Sequence, residues 1–342
     1  MLACLPPAAV RATDPRPGAF QLGAWLPHWK KDAGVKRFVQ HAAAFSTISP
    51  FAFRVQSAER IDDTPRIARE PWPTLRRAAR GHGVKVLPSI VWADLEERAR
   101  TLADPALRAR HVQGLLERVE RHAFDGLDLD YERKLAAERE GFSRLVTELS
   151  EALHARSKIL SCTIEPRDRE QPRAGVRGRK RSPWVDDYAV LGARCDQIRV
   201  MAYDQWALAS VGQARHADPA WVKGVARHVA THLPKHKLHL GIPTYGWEFR
   251  GRGSHVKKKR ALSFGQFQAE LARLGLTPER EPRGSLIARA GRRTLVMPDA
   301  AAIRSLTGVA RDAGLAGVVL FKLDGQTDPA YWKHLKVATT AR

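Results

Sequence analysis

Residues 124–132 read Phe-Asp-Gly-Leu-Asp-Leu-Asp-Tyr-Glu and place acidic groups at Asp125, Asp128, Asp130 and Glu132. Successive side chains on a β-strand point to opposite faces, so Asp128, Asp130 and Glu132 share one face while Leu127, Leu129 and Tyr131 share the other. Alternate residues stand roughly 6.6 Å apart along a strand. Carboxyls lined up this way on a partly buried face cannot all ionise cheaply, because like charge and loss of water both raise a carboxyl pKa. At least one is therefore expected to hold a proton near neutral pH. A protonated carboxyl beside ionised ones suits the cleavage of a glycosidic bond: the acid supplies a proton to the leaving oxygen, and the anions stabilise the positive charge developing on the sugar. Glu132, at the end of the run, is the expected general acid. Asp125 precedes a glycine and reads as readily as a turn residue. Three inward charges on an otherwise apolar strand are costly unless they have a function.

Such a face needs a scaffold that points it at an opening. Short apolar runs recur at Phe20–Leu26, Thr47–Val55, Lys85–Val91, Gly126–Tyr131, Ile159–Glu165, Gln197–Tyr203, Lys237–Thr244 and Gly317–Lys322, each followed by a longer stretch of helical periodicity. Strand–helix alternation signifies an α/β fold with a parallel sheet, and eight strands close a (β/α)8 barrel whose active sites lie at the C-terminal strand ends. Helix boundaries are marked by Asp104-Pro105 at a start and by Gly314 at an end, with an amphipathic stretch over Ser143–His154. About seventy residues separate the seventh and eighth strands. A small α+β insertion is expected there over 248–296, with a helix near Phe264–Leu274 and strand pieces at Ser285–Arg289 and Thr294–Met297. Tyr203, Asp204, Tyr245 and Phe321 all fall at C-terminal strand ends. One ring in such a place would read as core, but several beside carboxylates form the amphipathic surface that a sugar uses.

The length of 342 residues suits one barrel domain over 18–342 with extensions. The formal net charge is +22, which favours contact with polyanions without naming one. Arginine is scattered over nearly every helix, so the reading adopted is a basic solvated surface. The densest runs, RGRKR (Arg177–Arg181) and HVKKKR (His255–Arg260), lie among polar, Gly-containing stretches and are expected to be loops. Cys4, Cys162 and Cys195 lack the close spacing of a zinc site or a disulfide-rich scaffold; pairing of Cys162 with Cys195 is left open. No metal or other cofactor is expected, and no apolar run is long enough to span a membrane. Residues 1–17 form a tail whose apolar, small-residue character resembles the end of a secretion signal, although a positively charged start is missing. An extracytoplasmic location is expected on that basis.

The run Asp125-Gly126-Leu127-Asp128-Leu129-Asp130-Tyr131-Glu132 resembles the DGxDxDxE signature of glycoside hydrolase family 18, the chitinase family. The motifs MAYDQW (Met201–Trp206), GIPTYGW (Gly241–Trp247) and GVVLFKLDGQTDP (Gly317–Pro329) follow in matching order, so the resemblance spans roughly residues 19–334. It implies a retaining, substrate-assisted hydrolysis of β-linked N-acetylglucosamine polymers, an exception to the usual two-carboxylate scheme. Glu132 would act as general acid and base, Asp130 would orient the acetamido group, Asp128 would share a proton with Asp130, and Tyr203 would donate to the acetamido carbonyl. Asp204, Tyr245, Phe321, Trp206 and Trp25 are the candidate substrate contacts.

Two departures stand out. Family chitinases usually carry Ser-x-Gly-Gly on strand three, where this chain has LPSIVWAD with Ser89 and no glycines, and the strand-eight tryptophan is replaced by Phe321. The pattern is similar to the branch of spore-cortex and cell-wall hydrolases, with peptidoglycan, chitin or related oligosaccharides as substrates, although no peptidoglycan-binding module is recognisable. A monomer is expected, with electrostatic adsorption to anionic cell wall. A second reading is a catalytically weak or inactive sugar-binding protein on the same barrel; retention of Glu132 argues against it, because lectin-like members lose that acid. A nucleic-acid-binding role rests on net charge alone, with no binding motif beside the basic runs.

Overall fold

The computed structural model describes residues 19–168, 183–207, 214–251, 256–282, 284–324 and 327–340. The N-terminal tail, Cys4 and the Arg177–Arg181 run lie outside them. Parallel strands run Gln21–Leu26, Thr47–Val55, Lys85–Val86 continued as Ser89–Trp92, Gly126–Asp130, Ile159–Ile164, Gln197–Met201, Leu238–Pro243 and Gly317–Phe321. Each pairs with the next, and the last pairs with the first through Gln21↔Gly317 to Trp25↔Phe321, which closes an eight-stranded (β/α)8 barrel.

Helices at Lys31–His41, Trp72–Gly81, Leu95–Ala103, Pro105–Arg121, Arg139–His154, Tyr188–Arg194, Pro219–His232 and Ala300–Asp312 surround it, and Tyr331–Thr340 follows the last strand. The Asp104-Pro105 dipeptide opens its helix as expected, and Asp218-Pro219, not singled out in the sequence, does the same for another. Asp104 and Asp218 cap two of these helices by accepting from the backbone N–H groups two and three residues on, with a proline at the first helical position where no N–H is needed. The outward face of strand four is sealed beneath helices: Leu127, Leu129 and Tyr131 have no exposed surface, and the Tyr131 hydroxyl meets His111 Nε2 at 2.6 Å. The inward face is left to the carboxyls.

Between strands seven and eight the chain builds a second, antiparallel sheet from Gly246–Arg250, Lys257–Leu262, Glu279–Arg280, Leu286–Ala290 and Arg293–Met297, covered by the helix Phe264–Leu274. Its first strand starts two residues before the expected insertion. The expectation of a loop at HVKKKR is corrected: Lys257–Leu262 is an edge strand paired with Gly246–Arg250, and its alternation was hidden because four consecutive cations carry no apolar period. The expected single strand Lys85–Val91 is broken at Leu87-Pro88, where a proline cannot donate to the ladder. A short antiparallel strand, Ile61–Asp63, also pairs with strand two.

Cys162 and Cys195 form a disulfide across 33 residues of sequence, joining strand five to the approach of strand six. No helix among the described residues is long and apolar enough to cross a membrane.

Two residues ahead of the acidic run, Gly126 lies so close to strand five that a Cβ on it would fall 1.9 Å from the Ile159 carbonyl oxygen. Asp125 Oδ2 accepts from Val86 N at 2.8 Å, so it ties strand four to strand three and has no place in the mouth. Replacing Gly126 with Ala should therefore cost at least about 2 kcal/mol of stability through overpacking against backbone that cannot yield. Urea unfolding would read this as a lowered midpoint at unchanged slope; an unchanged midpoint would contradict the close packing.

Candidate active site

The acidic face of strand four meets the polar faces of its neighbours at the barrel centre. Asp128 Oδ2 accepts from Trp25 Nε1 at 2.9 Å and Ser89 Oγ at 2.8 Å, and its Oδ1 accepts from Ser161 Oγ at 2.7 Å and Thr163 Oγ1 at 2.9 Å. Arg199 stands 3.4 Å from Oδ2, with both side chains fully buried, and itself donates to Ser49 Oγ at 2.6 Å and Thr47 Oγ1 at 3.3 Å. Asp128 is thus a fully partnered carboxylate acting as an acceptor only. Among the described residues no hydrogen bond joins it to Asp130, and its charge raises the Asp130 pKa.

Asp130 is 4% exposed and its Oδ1 has no hydrogen-bond partner. Burial, and then the negative charges of Glu132 and Asp128, push its carboxyl well above the usual range, against a smaller opposing pull from Lys134. Its proton is therefore held more tightly than on an ordinary carboxyl. Glu132 sits just beyond the strand end, open to solvent through the mouth, and no group among the described residues hydrogen-bonds its carboxyl. Surrounding protein still removes enough water for desolvation to raise its pKa, with the charge of Glu165 as the next contributor. Its backbone is held from below: buried Arg98 donates to the carbonyls of Trp92 (3.2 Å), Glu132 (2.9 Å) and Arg133 (3.2 Å) while it pairs bidentately with Glu138 at 2.8 and 3.0 Å.

Glu165, directly after strand five, is the next acidic group. Burial and the charge of Asp186 raise its pKa, partly offset by Lys134, and its Oε2 has no partner. Lys134 is itself buried, donating to the Tyr131 carbonyl at 2.6 Å and standing 3.1 Å from Asp186.

Aromatic side chains line the opposite side. Tyr203 is 8% exposed and stacks on Phe321 at 5.3 Å, while burial and then the charges of Asp130 and Glu132 raise its phenol pKa well above the usual value and keep it a neutral donor. Asp204 Oδ1 accepts from Tyr245 Oη at 2.8 Å and Trp247 Nε1 at 2.7 Å, with His216 Nδ1 at 3.1 Å. Burial pulls that carboxyl up, but His216 and then the Trp247 and Tyr245 bonds outweigh it and hold it below its ordinary value. Ring contacts continue from Phe321 to Phe51 at 6.0 Å and from Phe51 to Trp29 at 6.0 Å, and on the other side from Tyr245 to Trp247 at 5.8 Å and Trp247 to Trp206 at 5.6 Å. Trp29 is 55% exposed.

Glu132, Asp130, Asp128, Tyr203, Asp204, Tyr245 and Phe321 therefore converge on one mouth, with Trp206 half-buried at its margin. Trp25 is corrected: at 1% exposure it cannot touch a substrate, and it serves as a hydrogen-bond donor to Asp128. Sequence reasoning missed Arg199, Ser161, Thr163, Glu165, Trp247 and Trp29. Ser161, Thr163 and Glu165 alternate on strand five just as the acids do on strand four, so their common face was available to be read. Arg98–Glu138 left no such signal.

The family model for glycosyl hydrolases family 18 matches residues 34–326, and the chain belongs to that family. It is a chitinase-like glycosidase at that level. A chitinase from Chromobacterium violaceum superposes with a TM-score of 0.78 at 21% identity, covering 95% of this chain and 100% of the other. The Bacillus cereus spore cortex-lytic enzyme SleL gives 0.78 at 15% identity, covering 94% and 74%. A probable chitinase 10 of Drosophila melanogaster is 30% identical over 191 residues, which are 49% of this chain and 8% of that protein. The uncharacterised glycosylase YvbX of Bacillus subtilis is 21% identical over 152 residues, 44% of this chain and 42% of that one. The matched stretches thus take in less than half of either curated relative.

Because the Glu165 charge raises the Glu132 pKa, neutralising it should lower that pKa and release the Glu132 proton at lower pH. Carbon-13 NMR titration of Glu132 in wild type and Glu165→Gln should show the midpoint falling by about half a unit or more; an unmoved or raised midpoint would remove Glu165 from the site's electrostatics.

Proposed function

We propose that the protein hydrolyses β-1,4-linked N-acetylglucosamine-containing polysaccharide, in peptidoglycan, chitin or related oligosaccharides, by a retaining mechanism in which the substrate's acetamido group takes part. It rests on the graded row on strand four: a fully bonded Asp128, a buried Asp130 with a raised pKa, and an open Glu132 with no hydrogen-bond partner among the described residues and a raised pKa. That row supplies a proton at the mouth, with a buried carboxyl directly behind it to bond the substrate.

In the first step the acetamido carbonyl oxygen attacks the anomeric carbon, the glycosidic C–O bond breaks, and the leaving oxygen takes the Glu132 proton. An oxazolinium ion results. Asp130 accepts from the acetamido N–H, which orients the group and eases the charge developing on it, while the neutral Tyr203 hydroxyl donates to the acetamido oxygen. Glu132, now anionic, then takes a proton from a water that attacks the same carbon from the vacated side, restoring both the acid and the configuration. Asp204 accepts from sugar hydroxyls. The rings from Trp29 through Phe51, Phe321, Tyr245 and Trp247 to Trp206 offer a lane of apolar faces for successive sugars.

We place this activity outside the cytoplasm. The Cys162–Cys195 bond supports that reading, since disulfides persist in oxidising compartments, and the charge of +22 supports adsorption to anionic wall material.

Glu132→Gln, which lacks a transferable proton, should lower hydrolysis of chitin oligomers and of purified peptidoglycan by about a thousandfold or more while folding is retained. Mass detection of products would show it; full residual turnover would overturn the assignment.

A further inference from the structure

The edge strand of the inserted sheet brings a row of cations to one margin of the mouth. Lys257, Lys258, Lys259 and Arg260 are all exposed, but their circumstances differ. Arg260 is committed, donating to Glu248 at 2.9 Å and Glu270 at 2.6 Å. Those two carboxylates are also held by Arg293, and Arg250 and Arg273 complete the network. Lys258 has no carboxylate partner among the described residues. Its ammonium instead lies 4.2 Å from the Trp206 ring centroid and 5.1 Å from that of Trp247. Trp247 in turn donates to Asp204 at 2.7 Å. The cation is thus fixed two side chains from the candidate sugar-binding carboxylate, at the end of the aromatic lane, with one side against indole faces and the other toward solvent.

A lysine placed over two indoles is attracted by their faces and loses part of its freedom and hydration. Both effects lower the cost of recruiting it to an anion. A plain chitin-type chain offers no anion at that point, because every sugar is neutral. A glycan in which some N-acetylglucosamine units carry an ether-linked carboxylate does offer one, and it presents the same acetamido groups to Asp130 and Tyr203.

We propose that Lys258, seated on Trp206 and Trp247, is a subsite for a carboxylate-bearing amino-sugar, and that it makes the cleft prefer acidic glycan over neutral glycan of equal length. This deepens the glycosidase reading and rests on it. Lys257 lies on the opposite face of the strand by alternation, and Lys259 falls at the bulge where the pairing shifts register; both strengthen the local field but are not part of the seat.

The test uses full-length Glu132→Gln protein and two probes of five sugars: a neutral N-acetylglucosamine oligomer, and an oligomer whose alternate units carry a 3-O-lactyl carboxylate. Calorimetry at low salt would be run on the Lys258 wild-type background, on Lys258→Met and on Lys258→Arg, with thermal unfolding as the folding check. The acidic probe should bind more tightly than the neutral one. Lys258→Met should weaken it by about three- to fivefold more than it weakens the neutral probe, an effect of the size of an exposed ion pair, and Lys258→Arg should restore most of the difference. Added salt should shrink the preference in wild type and leave little to shrink in Lys258→Met. An equal loss on both probes, or no loss on either, would overturn the subsite and leave the lysines as protection for an exposed sheet edge. Binding of neither probe would overturn the glycosidase reading itself, together with the inference built on it.

Discussion

Asp128 and Arg199 face each other at 3.4 Å in the middle of the barrel, and neither side chain exposes any surface. Two charges withdrawn from water this completely are tolerable only when each is paired and hydrogen-bonded; removing one partner from such a pair costs on the order of 3–5 kcal/mol. Here the pair is bonded from six strands: Trp25 on the first, Thr47 and Ser49 on the second, Ser89 on the third, Asp128 on the fourth, Ser161 and Thr163 on the fifth, and Arg199 on the sixth. The seventh joins through His239, which meets Gln21 at 2.9 Å and which burial and then the Arg199 charge push down to about 3, leaving it neutral. A slip of one residue in strand four would turn all of these contacts toward the helices. The web therefore fixes register, and register fixes which carboxyl reaches the mouth.

The chemistry follows from position along that strand. Asp128 lies deepest and is neutralised by Arg199 and its four donors. Asp130, one step up, has an oxygen with no donor among the described residues, and burial, followed by the charges of Glu132 and Asp128, raises its pKa. Glu132, another step up, leaves the sheet and meets solvent. Carboxyls spaced by one strand repeat thereby meet different surroundings, which make those of Asp130 and Glu132 bind a proton more tightly than usual. The Arg98–Glu138 pair contributes from outside by gripping the backbone of Glu132 and Arg133, which holds the acid's side chain over the row below it.

Much of this was legible in the chain. The Asp128, Asp130, Glu132 alternation and the eight apolar runs carried both the face and the barrel, because strand periodicity is a local property. Asp104, followed by proline, likewise announced its helix locally, as Asp218-Pro219 could have done. What stayed hidden depends on contacts between distant segments. Trp25 looked like a strand-end aromatic suited to a sugar, and only closure of strand one onto strand eight shows that its indole is sealed and turned to Asp128. Asp125 belongs to the family signature, yet its oxygen is taken by Val86 N. Lys257–Leu262 read as loop because a run of cations has no apolar alternation, whereas its partner strand supplies the pairing. Arg98 and Glu138 are 40 residues apart and carry no mutual signal.

Strand four favours a proton on Asp130, while the oxygens of Asp128 are taken by four donors and Arg199. Neutron diffraction from deuterium-exchanged crystals at neutral pH would locate those protons directly. Deuterium on an Asp130 carboxyl oxygen, none on Asp128, and Trp25 Nε1, Ser89, Ser161 and Thr163 all donating to Asp128 is the predicted result. Deuterium on Asp128, or a bare carboxylate at Asp130, would contradict the account.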